Sequence, residues 1–593
     1  MCRSHVRAHL TQLARQGTIS CMSSAGARLS SRLLSGRKEI WWDVLGVCAL
    51  AAVAVLLRCL RLFDSSSNYI FNPDSYFFNW VSQRVMAGEG PPSGTLGQNY
   101  TLHSGFAYPA AYIAKAVGFV FHMSSTDSLA MVFKFLPPAI AVVSIVVLYL
   151  FLSRLLNRRI AFFSALTWVL LFQGLFLGAA GNLDRDALTV LLLMVGAMLF
   201  YLTRRWKFNI GSRDVGWIFS GLSVLLMQLL LYVEWGLQGA SMLLAIILVY
   251  SVLKLVSAYS SLLDKEPDVM RRIAIALRRS DLRALVMVVA INLFAVGVYS
   301  HQSAQTFNLF WGLIKGRLSA GRGIGSASEE QGLSPADLLG FQFFLVPIAL
   351  GLYLAWKRGN DVVMFFAGWF VSFLIASIFV YRMIVLAVPA ACVVSGVGLA
   401  SLWGVMPSRD SKYLWKQLGI LVLLVLMVLI SSVSAVSLNR NNYILAADKD
   451  WQEALAYIRA STSQDAVVMS QWSYGYWILD VAQREPFVDN GYYNYTLNQL
   501  HDVGHTYLTA DPSEAAAVMT KCGTGYLVFG KQDLDLAVTI MGWAGVDSKE
   551  GAFPEDSLIQ RSLNGDFLSG DGLELVFKNN EVVILALAQP GQT

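Results

Sequence analysis

Asp184, Arg185 and Asp186 put charge into a short link between two stretches, 160–180 and 187–203, that carry no charged residue. A bilayer core takes about 20 apolar residues per helix, so both stretches read as membrane spans and the link lies at a membrane surface. Two carboxylates two residues apart are costly there unless something uses them. That spacing suits a divalent cation together with a phosphate-bearing ligand. A solvated charged turn is the plain alternative, and the placement of the other acidic residues decides between the two.

Three further segments carry chemistry. Phe71-Asn72-Pro73-Asp74-Ser75-Tyr76 supplies a third carboxylate. With Asp184 and Asp186, Asp74 could complete a three-carboxylate site for a hard cation such as Mg²⁺ or Mn²⁺, which takes oxygen ligands and keeps positions for phosphate and water. No His or Cys pattern competes, so zinc is not expected. Ser326-Ala327-Ser328-Glu329 lies late in a Gly- and Ser-rich loop, 301–337, and long loops of this kind are functional or disordered. Ser470-Gln471-Trp472-Ser473-Tyr474-Gly475-Tyr476-Trp477 is an aromatic cluster with small polar residues, able to line a peptide pocket or simply to pack as core.

The elements that must position these residues follow from charge and hydropathy. Of 593 residues, 55% are hydrophobic and only 14% charged, which is the composition of a polytopic membrane protein with room for a soluble domain; the mean hydropathy is +0.53. Eleven apolar spans can be drawn, at 41–62, 131–153, 160–180, 187–203, 216–232, 236–257, 283–300, 338–356, 361–379, 383–405 and 415–437. Basic clusters at 154–159, 204–213, 271–279, 357–358 and 409–416 then fall in alternate loops, and with the basic tail 1–40 all are cytoplasmic by the positive-inside rule. The stretches 63–130, 181–186 and 301–337 and everything after 437 therefore lie on the outer face. Segment 106–122 is apolar but holds Pro109 and Lys115, and a span there would break the alternation, so it reads as a helix lying at the outer interface.

Residues 438–593 form a soluble domain of mixed α/β class, with an amphipathic helix over 448–460 and short buried strands at 466–470, 526–530, 573–578 and 582–587. Cys522 is alone there, so no disulfide is expected. The Ser- and Arg-rich tail 1–40 is expected to be unstructured; a transit peptide, or a true start at Met22, both remain open.

In this order and on one face, the four segments resemble the catalytic subunit of the oligosaccharyltransferases, and the single-subunit bacterial and archaeal members in particular. The resemblance runs from about residue 41 to about residue 545. It matches Asp74 to the acid of the family's first outer loop, Asp184 and Asp186 to its Gly-x-x-Asp-x-(Asp/Glu) motif, and Glu329 to its loop glutamate. Arg382 matches an arginine that contacts the lipid-linked phosphate; otherwise it reads as a snorkelling anchor. The family's Trp-Trp-Asp-Tyr-Gly motif, which binds the Ser or Thr of the acceptor, stands here as Gln471-Trp472-Ser473-Tyr474-Gly475. Only Trp472 of its three hydroxyl-binding residues is kept, although Gln471 and Ser473 can still hydrogen-bond a hydroxyl. The nearest match to a second motif of the soluble domain is 533–541, which has an acid and a methionine but lacks the lysine and isoleucine. Family members have thirteen spans; eleven is also odd and also leaves the soluble domain outside.

The resemblance implies N-glycosylation of protein: transfer of an oligosaccharide from a polyprenyl phosphate or pyrophosphate carrier to the asparagine nitrogen of Asn-X-Ser/Thr, with inversion. It implies Asp74 and Glu329 as the amide-binding pair and Asp74, Asp184 and Asp186 as ligands of Mn²⁺ or Mg²⁺. Arg382 would take the phosphate, and Gln471, Trp472, Ser473, Tyr474 and Glu329 the acceptor polypeptide. It also implies a prokaryotic cell membrane and a chain able to act as a single subunit. Two other readings compete. A membrane glycosyltransferase using a polyprenyl-phosphate monosaccharide on Ser/Thr or on lipid would share the first-loop acid but not need the Glu329 loop or the aromatic motif. A transporter would place charge at mid-span, where few polar residues such as Gln228 are found.

Overall fold

The computed structural model describes residues 43–60, 73–89, 106–171, 178–180, 182–205, 209–210, 213–214, 248–256, 268–271, 344–379, 383–404, 447–489, 497–546, 552–566 and 569–588 except 571, with single positions elsewhere. The chain divides into two units, Met1–Val53 and Ala54–Thr593. In the first, 43–53 are helical. The second holds every other described element.

Helix α1 (Pro73–Ala87) opens on proline, which suits the first helical position, and carries Asp74 in its first turn, where the helix dipole favours an anion. It stops at Gly88, whose φ of 85° lets the Gly88 and Glu89 N–H groups turn back onto Val85 and Arg84 carbonyls. Helix α2 (Ala107–Phe121) occupies the segment expected at the interface. It buries Ala107, Ala110, Ala111 and Ala114 and exposes Tyr112, Phe119, Val120 and Phe121. The spacing of the alanines makes a smooth inner stripe against α1 and α3, and leaves an apolar outer stripe.

Helix α3 (Ser125–Leu155) is capped by Ser124, whose hydroxyl accepts the Asp127 N–H at 3.1 Å. At about 1.5 Å per residue it exceeds a bilayer core. Asn157 caps α4 (Arg158–Leu170), accepting the Ile160 N–H at 2.9 Å. Here the sequence expectation needs correction: the apolar run 160–180 is not one helix. Regular helix ends at Leu170, and 178–180 form a turn whose Ala180 N–H bonds the Arg58 carbonyl at 2.9 Å. The Arg58 side chain, 2% exposed, lies against that turn, and a Cβ on Gly178 would sit 2.6 Å from its Nε. Apolar composition gives no sign of where the helix ends.

Helix α5 (Arg185–Arg205) follows, then α6 (Leu345–Arg358), α7 (Asp361–Phe379) and α8 (Met383–Gly404). Helix α8 packs on α4, α6 and α7. Its glycines make this possible: a Cβ on Gly396 would collide with Ser164 of α4, and one on Gly398 with the Pro347 carbonyl of α6. Trp369 Nε1 donates to the Leu386 carbonyl at 2.9 Å and ties α7 to α8. Among the described residues two helices, Ser125–Leu155 and Met383–Trp403, are long and apolar enough to cross a membrane. The expected spans at 216–232, 283–300 and 415–437 fall wholly or largely outside the described residues, as does the 437/438 boundary.

The C-terminal region has the mixed α/β content expected of it. Helix α9 (Lys449–Ser461) is capped by Asp448, which accepts the Trp451 N–H at 2.9 Å. Strand β1 (Val467–Ser470) runs into an irregular helical segment, 472–482, and then β2 (Glu485–Pro486). Helices α10 (Leu497–Leu508) and α11 (Pro512–Cys522) lead to β3 (Tyr526–Gly530). After α12 (Ala537–Trp543) and α13 (Leu558–Asn564) come β4 (Ser569–Gly570), β5 (Leu573–Lys578) and β6 (Val582–Leu587). The sheet order is β2-β1-β3-β6-β5-β4, parallel at β2-β1-β3 and antiparallel from β3 onward.

Side chains alternate between the sheet's two faces. Val468, Val528, Val582 and Ile584 join one buried cluster with α9, the 474–482 segment, α1 and α2. Val467, Met469, Leu527, Phe529, Val583 and Leu585 join another with α10, α11 and α12. Both faces are covered, which is why these strands read as continuous apolar runs rather than alternating ones.

Candidate active site

Helix α1 presents Asp74 and is docked on the soluble region through one face. Tyr76, Phe77, Asn79 and Gln83 make the contacts. Phe77 stacks on Tyr476 with ring centroids 4.9 Å apart, and Tyr76 meets Trp477 edge-on at 6.2 Å. The Tyr76 hydroxyl donates to the Ile70 carbonyl and accepts the Ala447 N–H, both at 3.3 Å. Asn79 Nδ2 donates to both carboxylate oxygens of Asp480, at 3.0 and 2.9 Å, and Gln83 Nε2 donates to one of them at 3.3 Å. The carboxylate of the first segment and the aromatic motif of the fourth thus sit on one packed unit.

Asp184 immediately precedes α5, and its Oδ1 accepts the Asp186 N–H at 3.4 Å, a cap-like contact. Each of these two carboxylates is only 6% exposed. Their neighbours Leu183 and Ala187 belong to the same buried cluster as Tyr76, Phe77, Tyr474 and Trp477. Residues flanking three of the four segments thus pack into one apolar cluster. Glu329 and Arg382, with the 301–337 loop, lie outside the described residues.

For a divalent cation the donor chemistry of Asp184 and Asp186 fits, since hard cations take carboxylate oxygens. Among the described residues, however, no group of three His, Cys, Asp or Glu side chains is gathered to hold a metal ion. Asp74 is not assembled with Asp184 and Asp186 into such a group.

The 471–475 motif divides into a wall and a surface. Gln471 is wholly buried; its N–H donates to the Tyr507 hydroxyl at 2.8 Å, and its Oε1 accepts the Ser473 N–H, closing the turn. Its Nε2 has no hydrogen-bond partner among the described residues. Tyr474 is buried against Trp451, with centroids 4.1 Å apart, and its hydroxyl donates to Asp533 Oδ1 at 2.7 Å. Trp472 and Ser473 are half-buried and form the accessible part. Gly475 backs onto Asp489: a Cβ there would sit 2.5 Å from the Asp489 Cα and 2.7 Å from the Val488 carbonyl. Gly475→Ala is accordingly expected to destabilise the soluble region by roughly 2–3 kcal/mol through overpacking. Denaturant unfolding of the full chain, followed by the fluorescence of Trp451 and Trp477, checks this.

Asp533 also accepts the Gly530 N–H at 2.9 Å, and burial pushes its carboxyl up to about 7, against the pull of those hydrogen bonds. Burial raises Asp480 to about 7 as well, opposed by Asn79. Tyr474 and Tyr507 are pushed well above the phenol range, by burial first and the nearby Asp533 charge second. A carboxyl raised on folding contributes stability that is complete below its ordinary value of 3.8 and is lost as pH rises through about 7. Protection of the β1 and β3 amides against hydrogen exchange, corrected for intrinsic rates, is therefore expected to fall between pH 5 and 8. The loss is on the order of a few kcal/mol for the two groups together. Asp533→Asn is expected to flatten the profile.

Four positions that structure this site were not singled out from sequence: Arg58, Asn79, Asp480 and Tyr507. Asp480 had a usable signal, being the sole acid in the apolar stretch 474–482. Asn79 and Tyr507 had none, since nothing local distinguishes them.

No protein-family model matches the chain. Among curated proteins it is 25% identical over 259 residues to the STT3B subunit of the dolichyl-diphosphooligosaccharide–protein glycosyltransferase of Arabidopsis thaliana, covering 35% of this chain and 34% of that one. It is 23% identical over 243 residues to the STT3 subunit of Saccharomyces cerevisiae, covering 37% and 32%. The chain thus spans about a third of the length of these relatives, and 12% of the Caenorhabditis elegans subunit. Among solved structures, the archaeal oligosaccharyltransferase AglB of Archaeoglobus fulgidus, in complex with an inhibitory peptide and a dolichol-phosphate, superposes with a TM-score of 0.67 at 15% identity, over 91% of this chain and 80% of that one. An A. fulgidus oligosaccharyltransferase complexed with Zn and sulfate gives 0.58 at 16% identity over 87% and 71%. ArnT of Cupriavidus metallidurans bound to undecaprenyl phosphate gives 0.50 at 14% identity over 92% and 98%. The chain shares its fold with the A. fulgidus structures.

Proposed function

We propose that the chain is an oligosaccharyltransferase of the single-subunit kind, moving a glycan from a polyprenyl phosphate or pyrophosphate carrier to the asparagine nitrogen of Asn-X-Ser/Thr. The observation that carries this is the docking of the Asp74 helix on the 474–482 segment, with Asp184 and Asp186 against the same buried cluster. An acid for the acceptor amide and a surface for the acceptor peptide then belong to one rigid unit. The AglB structure with peptide and dolichol-phosphate and the STT3-type relatives point the same way.

A carboxamide nitrogen is a poor nucleophile because its lone pair is delocalised into the carbonyl. Asp74, and Glu329 from its loop, would accept hydrogen bonds from the amide N–H groups and weaken that conjugation. Single displacement at the anomeric carbon inverts its configuration. Asp184 and Asp186, with Asp74 as the third carboxylate, are the residues that would hold Mn²⁺ or Mg²⁺. When bound, that cation supplies charge neutralisation at the leaving phosphate. Arg382 would take a phosphate oxygen. Trp472 and Ser473 offer the accessible surface for the acceptor Ser or Thr, backed by the buried Gln471 and Tyr474. Closure of 301–337 over the peptide would exclude water.

In this reading the membrane domain has eleven to thirteen spans in a prokaryotic cell membrane. The outer loops and the soluble domain share the outer face, and the exposed apolar stripe of α2 rests in the interface.

The likeness to ArnT supports a second reading, transfer of a monosaccharide from a polyprenyl phosphate to an oxygen of Ser/Thr or lipid. One experiment separates the two. Purified protein in detergent is given a lipid-linked oligosaccharide, Mn²⁺ and a fluorescent Asn-X-Thr peptide. A glycan linked through the asparagine nitrogen is expected. A product linked through oxygen, or no product with Ser and Thr peptides across several oligosaccharide donors, moves the assignment to the second reading.

A further inference from the structure

Asp480 lies 8% exposed on the π-helical turn Ile478–Ala482, a wide turn that inserts a residue and redirects the side chains around it. Its carboxylate receives hydrogen bonds from two α1 side chains one turn apart, Asn79 and Gln83. Tyr76 on Trp477 and Phe77 on Tyr476 also join α1 to this segment, and such ring contacts tolerate a range of centroid separations. Hydrogen bonds to a buried carboxylate do not, since a small displacement leaves polar atoms unsatisfied. A slip of one residue would turn α1 by about 100° and carry Asn79 off its partner. Asp74 lies five residues before Asn79, about 7.5 Å along the same rigid rod, so whatever fixes Asn79 fixes the height and rotation at which Asp74 is presented.

We propose that Asp480 is a positioning residue: through Asn79 and Gln83 it sets the register of the Asp74 helix against the segment that receives the acceptor. The inference rests on the transfer reaction proposed above. It differs from a merely stabilising polar contact in what it controls. A stabilising contact changes how much protein is folded; a register clamp changes the turnover of the protein that is folded, because a misplacement near 1 Å costs rate.

The test uses the full chain in detergent and three variants: Asn79→Asp, Asp480→Leu, and the exchange Asn79→Asp with Asp480→Asn. Asn79→Asp faces two carboxyl groups, Asp480→Leu leaves the Asn79 amide against an apolar side chain, and the exchange restores an amide–carboxylate pair in reverse order. At saturating Asn-X-Thr peptide, each single variant is expected to lower kcat per folded molecule about tenfold with KM altered less than about threefold. The exchange is expected to return kcat to within about threefold of the parent. In parallel, hydrogen-exchange protection of the 76–87 amides falls in both single variants and returns in the exchange. Parent-like kcat in both singles, or an exchange no better than Asn79→Asp, overturns the proposal. If the parent itself transfers nothing, the reaction assignment has failed, and the exchange-rate data alone decide: loss and recovery of protection supports the clamp, unchanged protection overturns it. Should a single variant not fold, Gln83→Met removes one donor at similar volume; a drop in kcat of about threefold is then expected, and none overturns the proposal.

Discussion

Asp74→Ala is expected to reduce glycan transfer to an Asn-X-Thr peptide by about 10³-fold, with the protein still folded. The size follows from the amide-binding role proposed for this carboxylate. Amide resonance must be broken before the nitrogen attacks, and a preorganised acceptor near the N–H groups acts where charge changes in the transition state. Removing one such group typically costs 10²–10³ in rate. The fold is spared because α1 is held by Tyr76, Phe77, Asn79 and Gln83, all downstream of Asp74. Initial rates at saturating peptide, beside hydrogen exchange over 76–87, separate lost chemistry from lost structure. Asp74→Ala retaining more than about a tenth of the parent rate would remove this carboxylate from the amide-binding role.

Asp184→Asn and Asp186→Asn are expected to abolish the stabilisation of the full chain by Mn²⁺ and to lower transfer by about 10²–10³-fold. A ligand that binds only the folded state raises its stability by RT ln(1 + [L]/Kd), so losing a charged donor shows as a lost shift in the unfolding temperature, independent of any turnover. Asparagine is chosen over alanine because Asp184 also receives the Asp186 N–H at the start of α5. Asn caps a helix as well as Asp does, so the substitution removes charge while keeping the cap. A full Mn²⁺ shift in both variants would place the cation elsewhere in the chain.

Much of this site was legible as segments. The 184–186 carboxylates stood out because uncharged stretches flank them, and the α5 start at Arg185 agrees with that reading. Strands β3, β5 and β6 fall where apolar runs bounded by polar residues indicated them. The 160–180 run misled because hydropathy counts apolar residues and carries no signal for where the helix ends, which is at Leu170. The cluster 470–477 could be read either as a peptide pocket or as core packing, and its residues divide between the two. Gln471 and Tyr474 point inward, a choice made by the parallel strand β1 and by Tyr507 and Asp533 beyond it.

Neighbours along the chain were enough to indicate the mixed α/β class and the element types of the C-terminal region, and to single out the carboxylates as candidates. Hydropathy, caps and alternation are properties of adjacent residues. Only the folded chain could bring Asn79 to Asp480, 401 residues away, and put Tyr474 on Asp533. A buried polar atom is satisfied by whichever donor or acceptor the packing delivers, and that partner leaves no trace in the residues beside it.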